Sequence, residues 1–201
     1  MPISKNVSAT WKTISAPSKN VSATWKPISV GSIKVAGVWK EFHAAVSDPW
    51  GFFAGAAASN VIDYFDPTVT SGNTNNAGDL TVARNYVAGV TGSTYGFCCS
   101  GWTGSAMSNV IDYLVLTAET DNAEDRGDMV VGRQSPAGSS GATYGYIAGG
   151  HSTARKNEID YIDLSLTSGN AYDKGDLTVA RMQLAGVGDL DGTYGFYAGG
   201  T

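Results

Sequence analysis

Histidine and cysteine are almost missing from this chain, and the few present stand in the wrong places for chemistry. The two histidines, His43 and His151, lie about a hundred residues apart at positions that do not correspond in the repeats. That argues against a two-histidine metal site and leaves a Ser-His-Asp arrangement without a suitable base. The only cysteines, Cys98 and Cys99, are adjacent, so no disulfide framework exists. Neighbouring Cα atoms sit ~3.8 Å apart, short of the roughly 4.4–6.8 Å that a disulfide spans. The pair fills places held elsewhere by Phe53-Ala54 and Tyr197-Ala198 and reads as ordinary small strand residues. No apolar run approaches the ~18 residues of a membrane span. The start, Met-Pro-Ile-Ser-Lys-Asn-Val-Ser, lacks the apolar core of a signal peptide, so the expected product is made in the cytoplasm. Lys and Glu are scarce, and no stretch keeps a 3.6-residue apolar period, which removes helices. What remains is glycine, 26 of 201 residues against a usual ~7%. It comes with Ser, Thr, Asn, Val and Tyr, the vocabulary of short strands and tight turns. The chain reads as all-β.

Those residues are organised as a repeat. Ile-Asp-Tyr falls at Ile62-Asp63-Tyr64, Ile111-Asp112-Tyr113 and Ile159-Asp160-Tyr161, spacings of 49 and 48. Gly78-Asp79, Gly127-Asp128 and Gly175-Asp176 keep the interval, as do Arg84, Arg133 and Arg181. The glycine of an aromatic-Gly-aromatic strand recurs at Gly51, Gly96, Gly145 and Gly195. Each unit predicts four short strands. They run from Trp50 to Gly55, Asn60 to Phe65, Asp79 to Arg84 and Tyr86 to Val90 in the first copy, with a polar loop at 67–78. This is the content of one propeller blade. The units are about 50–94, 95–143 and 144–193, with an extra strand at 194–200.

Residues 1–48 carry a different repeat. Trp11-Lys12, Trp25-Lys26 and Trp39-Lys40 are 14 apart, each behind a valine, and each copy predicts a miniature hairpin. This arm holds six Lys against Glu41 and Asp48, a net +4, whereas residues 49–201 hold seven Lys and Arg against sixteen carboxylates, a net −9. A basic arm on an acidic body suggests two different partners, and the acidic body argues against nucleic acid. Three Trp side chains, each able to bury roughly 150–250 Å², exceed what ~40 residues can cover alone. Trp11, Trp25, Trp39, Lys12, Lys26 and Lys40 are therefore the candidate docking residues.

Few motifs suggest catalysis. Gly138-Ser139-Ser140-Gly141 reads as a loop rather than a nucleophile elbow, and Gly186-Val187-Gly188 lacks the third glycine of a dinucleotide site. The loop from Glu119 to Asp128 has oxygen ligands suited to calcium, but its spacing misses the calcium-loop pattern and Arg126 stands among them. It reads as a solvated turn, and no cofactor is expected. The three-fold Asp79/Arg84, Asp128/Arg133 and Asp176/Arg181 pattern reads as structural ion pairs between repeats. A ring of arginines holding an anion is the alternative. Asp63, Asp112 and Asp160 read as caps of strand or turn amides. Tyr95, Tyr144 and Tyr194 recur at one position and read as packing rather than a sugar platform.

The order of a strand ending in Gly-Gly, then Ile-Asp-Tyr, a polar loop and an arginine resembles the kelch motif. Gly149-Gly150 and Gly199-Gly200 match its glycine pair, Tyr64, Tyr113 and Tyr161 its tyrosine, and Arg84, Arg133 and Arg181 its arginine. The tryptophan that usually precedes that arginine is absent. The whole chain, with Val35-Ala36-Gly37-Val38-Trp39-Lys40 ahead of Tyr-Gly-Phe-x-Ala-Gly-Gly strands, resembles virion structural proteins of tailed bacteriophages. That resemblance implies a non-enzymatic tail fibre or appendage anchored by its arm, with other virion proteins as partners and the virion as its location. The alternatives are a kelch-like module binding a host-surface glycan or receptor, and a capsid-surface decoration protein. Three kelch-like units and one extra strand are fewer than the ~4–8 blades of a closed propeller. A homo-oligomer, dimer or trimer, is therefore expected.

Overall fold

The computed structural model describes residues 30–35, 38–43, 51–56, 59–118, 120–189 and 192–201, with the backbone alone for 30–35, 38–43 and 56. By its contacts the chain divides into Met1–Ser47 and Asp48–Thr201. In the first unit β1 (Val30–Val35) and β2 (Val38–His43) form an antiparallel hairpin in which Val35 faces Val38. This is the third of the three expected hairpins. The first two, with Trp11, Lys12, Trp25 and Lys26, lie outside the described residues, as do the side chains of Trp39 and Lys40.

The second unit contains 13 strands in four antiparallel sheets and, among the described residues, no helix. The first sheet is β3 (Gly51–Ala56), β4 (Ser59–Phe65) and β5 (Asn75–Asp79). The second is β6 (Ala88–Thr91), β7 (Tyr95–Trp102), β8 (Met107–Val115) and β9 (Glu124–Asp128). The third is β10 (Ala137–Ser140), β11 (Tyr144–Ala148), β12 (Glu158–Asp163) and β13 (Tyr172–Asp176). The fourth is β14 (Ala185–Gly188) and β15 (Gly195–Ala198). Strand order follows chain order in every sheet.

Two features differ from the sequence reading. The expected strand from Asp79 to Arg84 is irregular chain after Asp79, with a bend at Thr81-Val82, and the strand lies earlier, at Asn75–Asp79. Gly78 sits at φ +151° beside a bulge between Ile62 and Asp63, and the chain then bends to bury Leu80. Polar residues in the supposed loop make the outer strand instead, because an edge strand tolerates them. The expected unit boundaries also shift. The segment read as the fourth strand of one unit is the first strand of the next sheet, so the sheets cover 88–128 and 137–176 rather than 95–143 and 144–193.

Gly138-Ser139-Ser140, read as loop, belongs to the strand β10. Small residues are needed there because first strands of successive sheets pack directly on one another. A Cβ on Gly138 would run into the carbonyl of Gly89, and one on Gly186 into the carbonyl of Gly138. Farther from these strands the sheets are held apart by larger side chains. Ile62, Tyr64, Leu80, Cys98 and Leu114 pack between the first and second sheets. Phe97, Cys99, Ile111, Ile147, Ile162 and Leu164 pack between the second and third. Cys98 and Cys99, successive on β7, thus serve opposite faces of one sheet.

Replacing Gly138 or Gly186 by Ala is expected to lower stability by about 1–3 kcal/mol each through overpacking, read as a lower urea midpoint with unchanged m-value.

Candidate functional site

The polar groups most deeply enclosed are the repeated arginines. Arg84 enters the second sheet just ahead of β6, and its side chain crosses beneath β7. There Nη2 donates to the carbonyl of Cys98 at 3.0 Å and stands 3.1 Å from Asp112 Oδ2 on β8. Arg133 repeats this in the third sheet, donating to the carbonyl of Ile147 at 2.9 Å and pairing with Asp160 at 3.1 Å. Cys98 is opposite Asp112 across the β7–β8 ladder, and Ile147 is opposite Asp160 across β11–β12. Each guanidinium therefore spans one cross-strand pair. All four side chains are sealed from solvent, at most 1% exposed.

Arg84 and Arg133 are in buried ion pairs, but with Asp112 and Asp160 rather than with Asp79 and Asp128. Asp79 and Asp128 make no ion pair among the described residues. Each instead acts through its backbone on the next repeat. The Asp79 amide donates to Asn122 Oδ1 at 3.0 Å while its carbonyl accepts from Ala123 at 2.9 Å. Asp128 does the same with Asn170 and Ala171, at 3.0 and 2.8 Å. The expectation that Asp and Arg lie on one strand fails because the segment between them is irregular and bends. Asp112 and Asp160, read as amide caps, are the true ion-pair partners. Asp112 also caps, accepting from the Thr81 amide at 3.1 Å and the Thr81 hydroxyl at 2.5 Å, so it ties the first sheet to the second. Burial pushes the Asp160 carboxyl above its usual range, and Arg133 pulls it back. Arg84 and Arg133 face carboxylates in closed interiors, which overturns the alternative of arginines lining a channel for an anion. Arg181, the third copy, donates to the carbonyls of Tyr197 on β15 at 3.0 Å and of Gly199 just after it at 3.3 Å, with no carboxylate against it among the described residues.

The acidic loop is used internally. Glu124 accepts from Tyr113 at 2.5 Å, Asp125 from the Gly127 amide at 2.7 Å. Arg126 turns away to the carbonyls of Leu166 at 3.0 Å and Asp163 at 3.2 Å, with its guanidinium 5.6 Å from the Phe97 ring centroid. Arg126 is a repeat-to-repeat link that the sequence did not reveal, because Ala77 and Lys174 stand at the corresponding positions. Among the described residues no three of His, Cys, Asp and Glu are grouped so as to hold a metal ion. Burial pushes the Cys98 thiol up to about 11 and Cys99 higher still.

Among the described residues, both cysteine thiols are buried and the Arg84–Asp112 and Arg133–Asp160 pairs are closed to solvent. The chemistry of this arrangement is attachment: cations and carboxylates are neutralised inside the sheets, and backbone groups are joined between them. No family model matches the chain, and no curated protein is significantly similar to it.

Asp160→Ala leaves Arg133 enclosed without its countercharge and is expected to cost about 3–5 kcal/mol, whereas Arg133→Met with Asp160→Leu recovers most of that loss. Denaturant unfolding of the three variants checks it. Both thiols are expected to resist a thiol-reactive dye at pH 8 until denaturant is added. Rapid labelling of the folded chain refutes the assignment of both cysteines to the interior.

Proposed function

We propose that this protein is a non-enzymatic structural component of a bacteriophage virion, a tail fibre or appendage fixed to the particle by its basic arm. The observation that carries the proposal is the use made of its repeated polar residues. Asp79, Asp128 and Asp112 bond to the neighbouring repeat, while Arg84 and Arg133 lock the strands inside each sheet. A scaffold whose polar groups serve its own cohesion suits an extended or assembled particle part.

The finer fold reading is of kelch-like, blade-like repeats. It is supported by two complete four-stranded sheets that follow chain order, with the first strand of each packed on the first strand of the next. Left-handed conformations at Gly149 (φ +65°), Gly150 (φ +102°), Gly199 (φ +70°) and Gly200 (φ +89°) fit the glycine pair of that motif. The charge contrast between the arm and residues 49–201 supports separate roles for the two: attachment for the first, projection for the second.

Mass spectrometry of particles purified from infected cells is expected to find the chain at several copies per particle. Cutting away residues 1–48 is expected to abolish incorporation. Particles that lack the full-length chain overturn the proposal.

A further inference from the structure

Contacts between successive repeats are directional, and the two ends of the array are left with matching halves. At the forward end of each repeat, Gly-Asp meets an Asn-containing segment of the next. A Cβ on Gly78 would lie 2.6 Å from the Asp121 carbonyl, and one on Gly127 would lie 2.7 Å from the Gly169 carbonyl. Gly175, the third copy, is at φ +131° with nothing within 4 Å. The receiving segment is also written once more than it is used. Gly72-Asn73-Thr74 precedes β5 as Gly169-Asn170-Ala171 precedes β13, and Thr74 is exposed where its counterparts Ala123 and Ala171 are buried.

The same is true of the other contacts. Gly138 and Gly186 are each pressed on the first strand of the preceding sheet, but a Cβ on Gly89 would meet only the Phe97 carbonyl, at 4.0 Å. Val90 and Phe97 are 2% exposed between sheets, whereas their counterparts Val187 and Phe196 are 61% and 57% exposed. Arg181 has no carboxylate against it, and Asp63, the counterpart of Asp112 and Asp160, has no cation among the described residues. Across from Asp63 on β3 is Phe53, 62% exposed. Finally, Gly195-Phe196-Tyr197-Ala198-Gly199, which spans β15 and the residue after it, is nearly the Gly51-Phe52-Phe53-Ala54-Gly55 of β3.

We propose that two copies of the chain join head to tail, with β14 and β15 of one forming a four-stranded sheet with β4 and β5 of the other in the place that β3 holds. The register is set by the complete sheets. Tyr197 takes the position of Cys98 and Ile147, opposite Asp63 of the second copy, and Arg181, already on the Tyr197 carbonyl, completes the ion pair. Asp176 meets Asn73 and Thr74 of the second copy, in the open cleft lined by Ile159, Gly175, Asp176 and Tyr194. The Gly186 carbonyl lies over Gly89 of the second copy, and Val187 and Phe196 are covered as Val90 and Phe97 are. Strand addition of this kind gives affinity through main-chain bonds and specificity through side chains.

The occupant is a second copy rather than the chain's own β4. Joined within one chain, the sheets number three, below the ~4 of the smallest closed ring of sheets. Two copies make six, the second and third sheets of each and two shared ones. The joining surface does not depend on where the protein serves.

The test uses the full chain and its mass by light scattering. Wild type is expected at twice 20.9 kDa, and Arg181→Asp or Asp63→Arg alone at the single mass. An equal mixture of these two variants is expected to return to the doubled mass, because one junction then has both charges reversed and the other has neither. Gly89→Val, whose side chain meets open space in one chain, is expected to keep the far-UV circular dichroism of wild type and remain at the single mass. Wild type at the single mass, masses above the double, or variants that stay single when mixed overturn the proposal.

Discussion

An arginine enclosed with no access to water fixes much of this fold. The isolated charge is costly to bury, so Arg84 and Arg133 are stable only where a carboxylate and a carbonyl meet them. The required carboxylate lies on the third strand of the sheet, while the arginine enters ahead of the first. The pair therefore forms only when three strands have assembled in the right register, and a one-residue slip would turn Asp112 or Asp160 to the other face. A pair of well-packed apolar residues could contribute as much stability, since desolvation offsets most of the attraction. It would not discriminate between registers in strands as short as four to nine residues. Asp112 extends the constraint, because Thr81 of the preceding repeat bonds the same carboxylate.

Close approach of the first strands is the second constraint, and it determines composition. Ala, Gly and Ser dominate β6, β10 and β14 because backbone meets backbone there. A few residues along each repeat the spacing is filled by Phe97, Tyr64, Ile111 and Leu164. Part of the high glycine content serves two roles. It permits contact at the first strands, and it gives the left-handed corners at Gly78 and Gly127, where the next repeat presses on the turn.

The all-β character and the repeat were legible because both are written in period and composition. The arginines were legible as a periodic residue type that composition did not explain. Their partners were not, for a physical reason. Asp79 and Arg84 are close in sequence, but a bend separates them, while Asp112 is reached only through tertiary pairing across β7. The strand at Asn75–Asp79 was hidden because its residues are polar and its ladder is interrupted by a bulge. Ser139 and Ser140 looked like loop for a similar reason: strand propensity reports packing on a pleated surface, and these residues are placed by the backbone they must admit. Arg126 left no periodic trace at all, although it reaches three carbonyls of the following repeat, those of Leu166, Gly169 and Asp163.

Directional repeats have unlike ends, and this decides how such arrays associate. Pairing two forward ends would set Arg181 against Arg181 and leave each Gly175 facing another open glycine. Pairing two receiving ends would set Asp63 against Asp63. Like charges brought together away from water are repelled, and no backbone donor would find its acceptor. Forward against receiving end satisfies both at once, because it repeats the contact between Asp128 and Asn170 already made inside the chain. Such a heterologous contact closes into a ring when the rotation per sheet divides the circle, and continues as a filament when it does not. The rotation is set by how closely the first strands approach relative to the rest of each sheet. In the head-to-tail assembly we propose, the glycines of β10 and β14 would govern the curvature, and Arg181 and Asp63 would govern which ends meet.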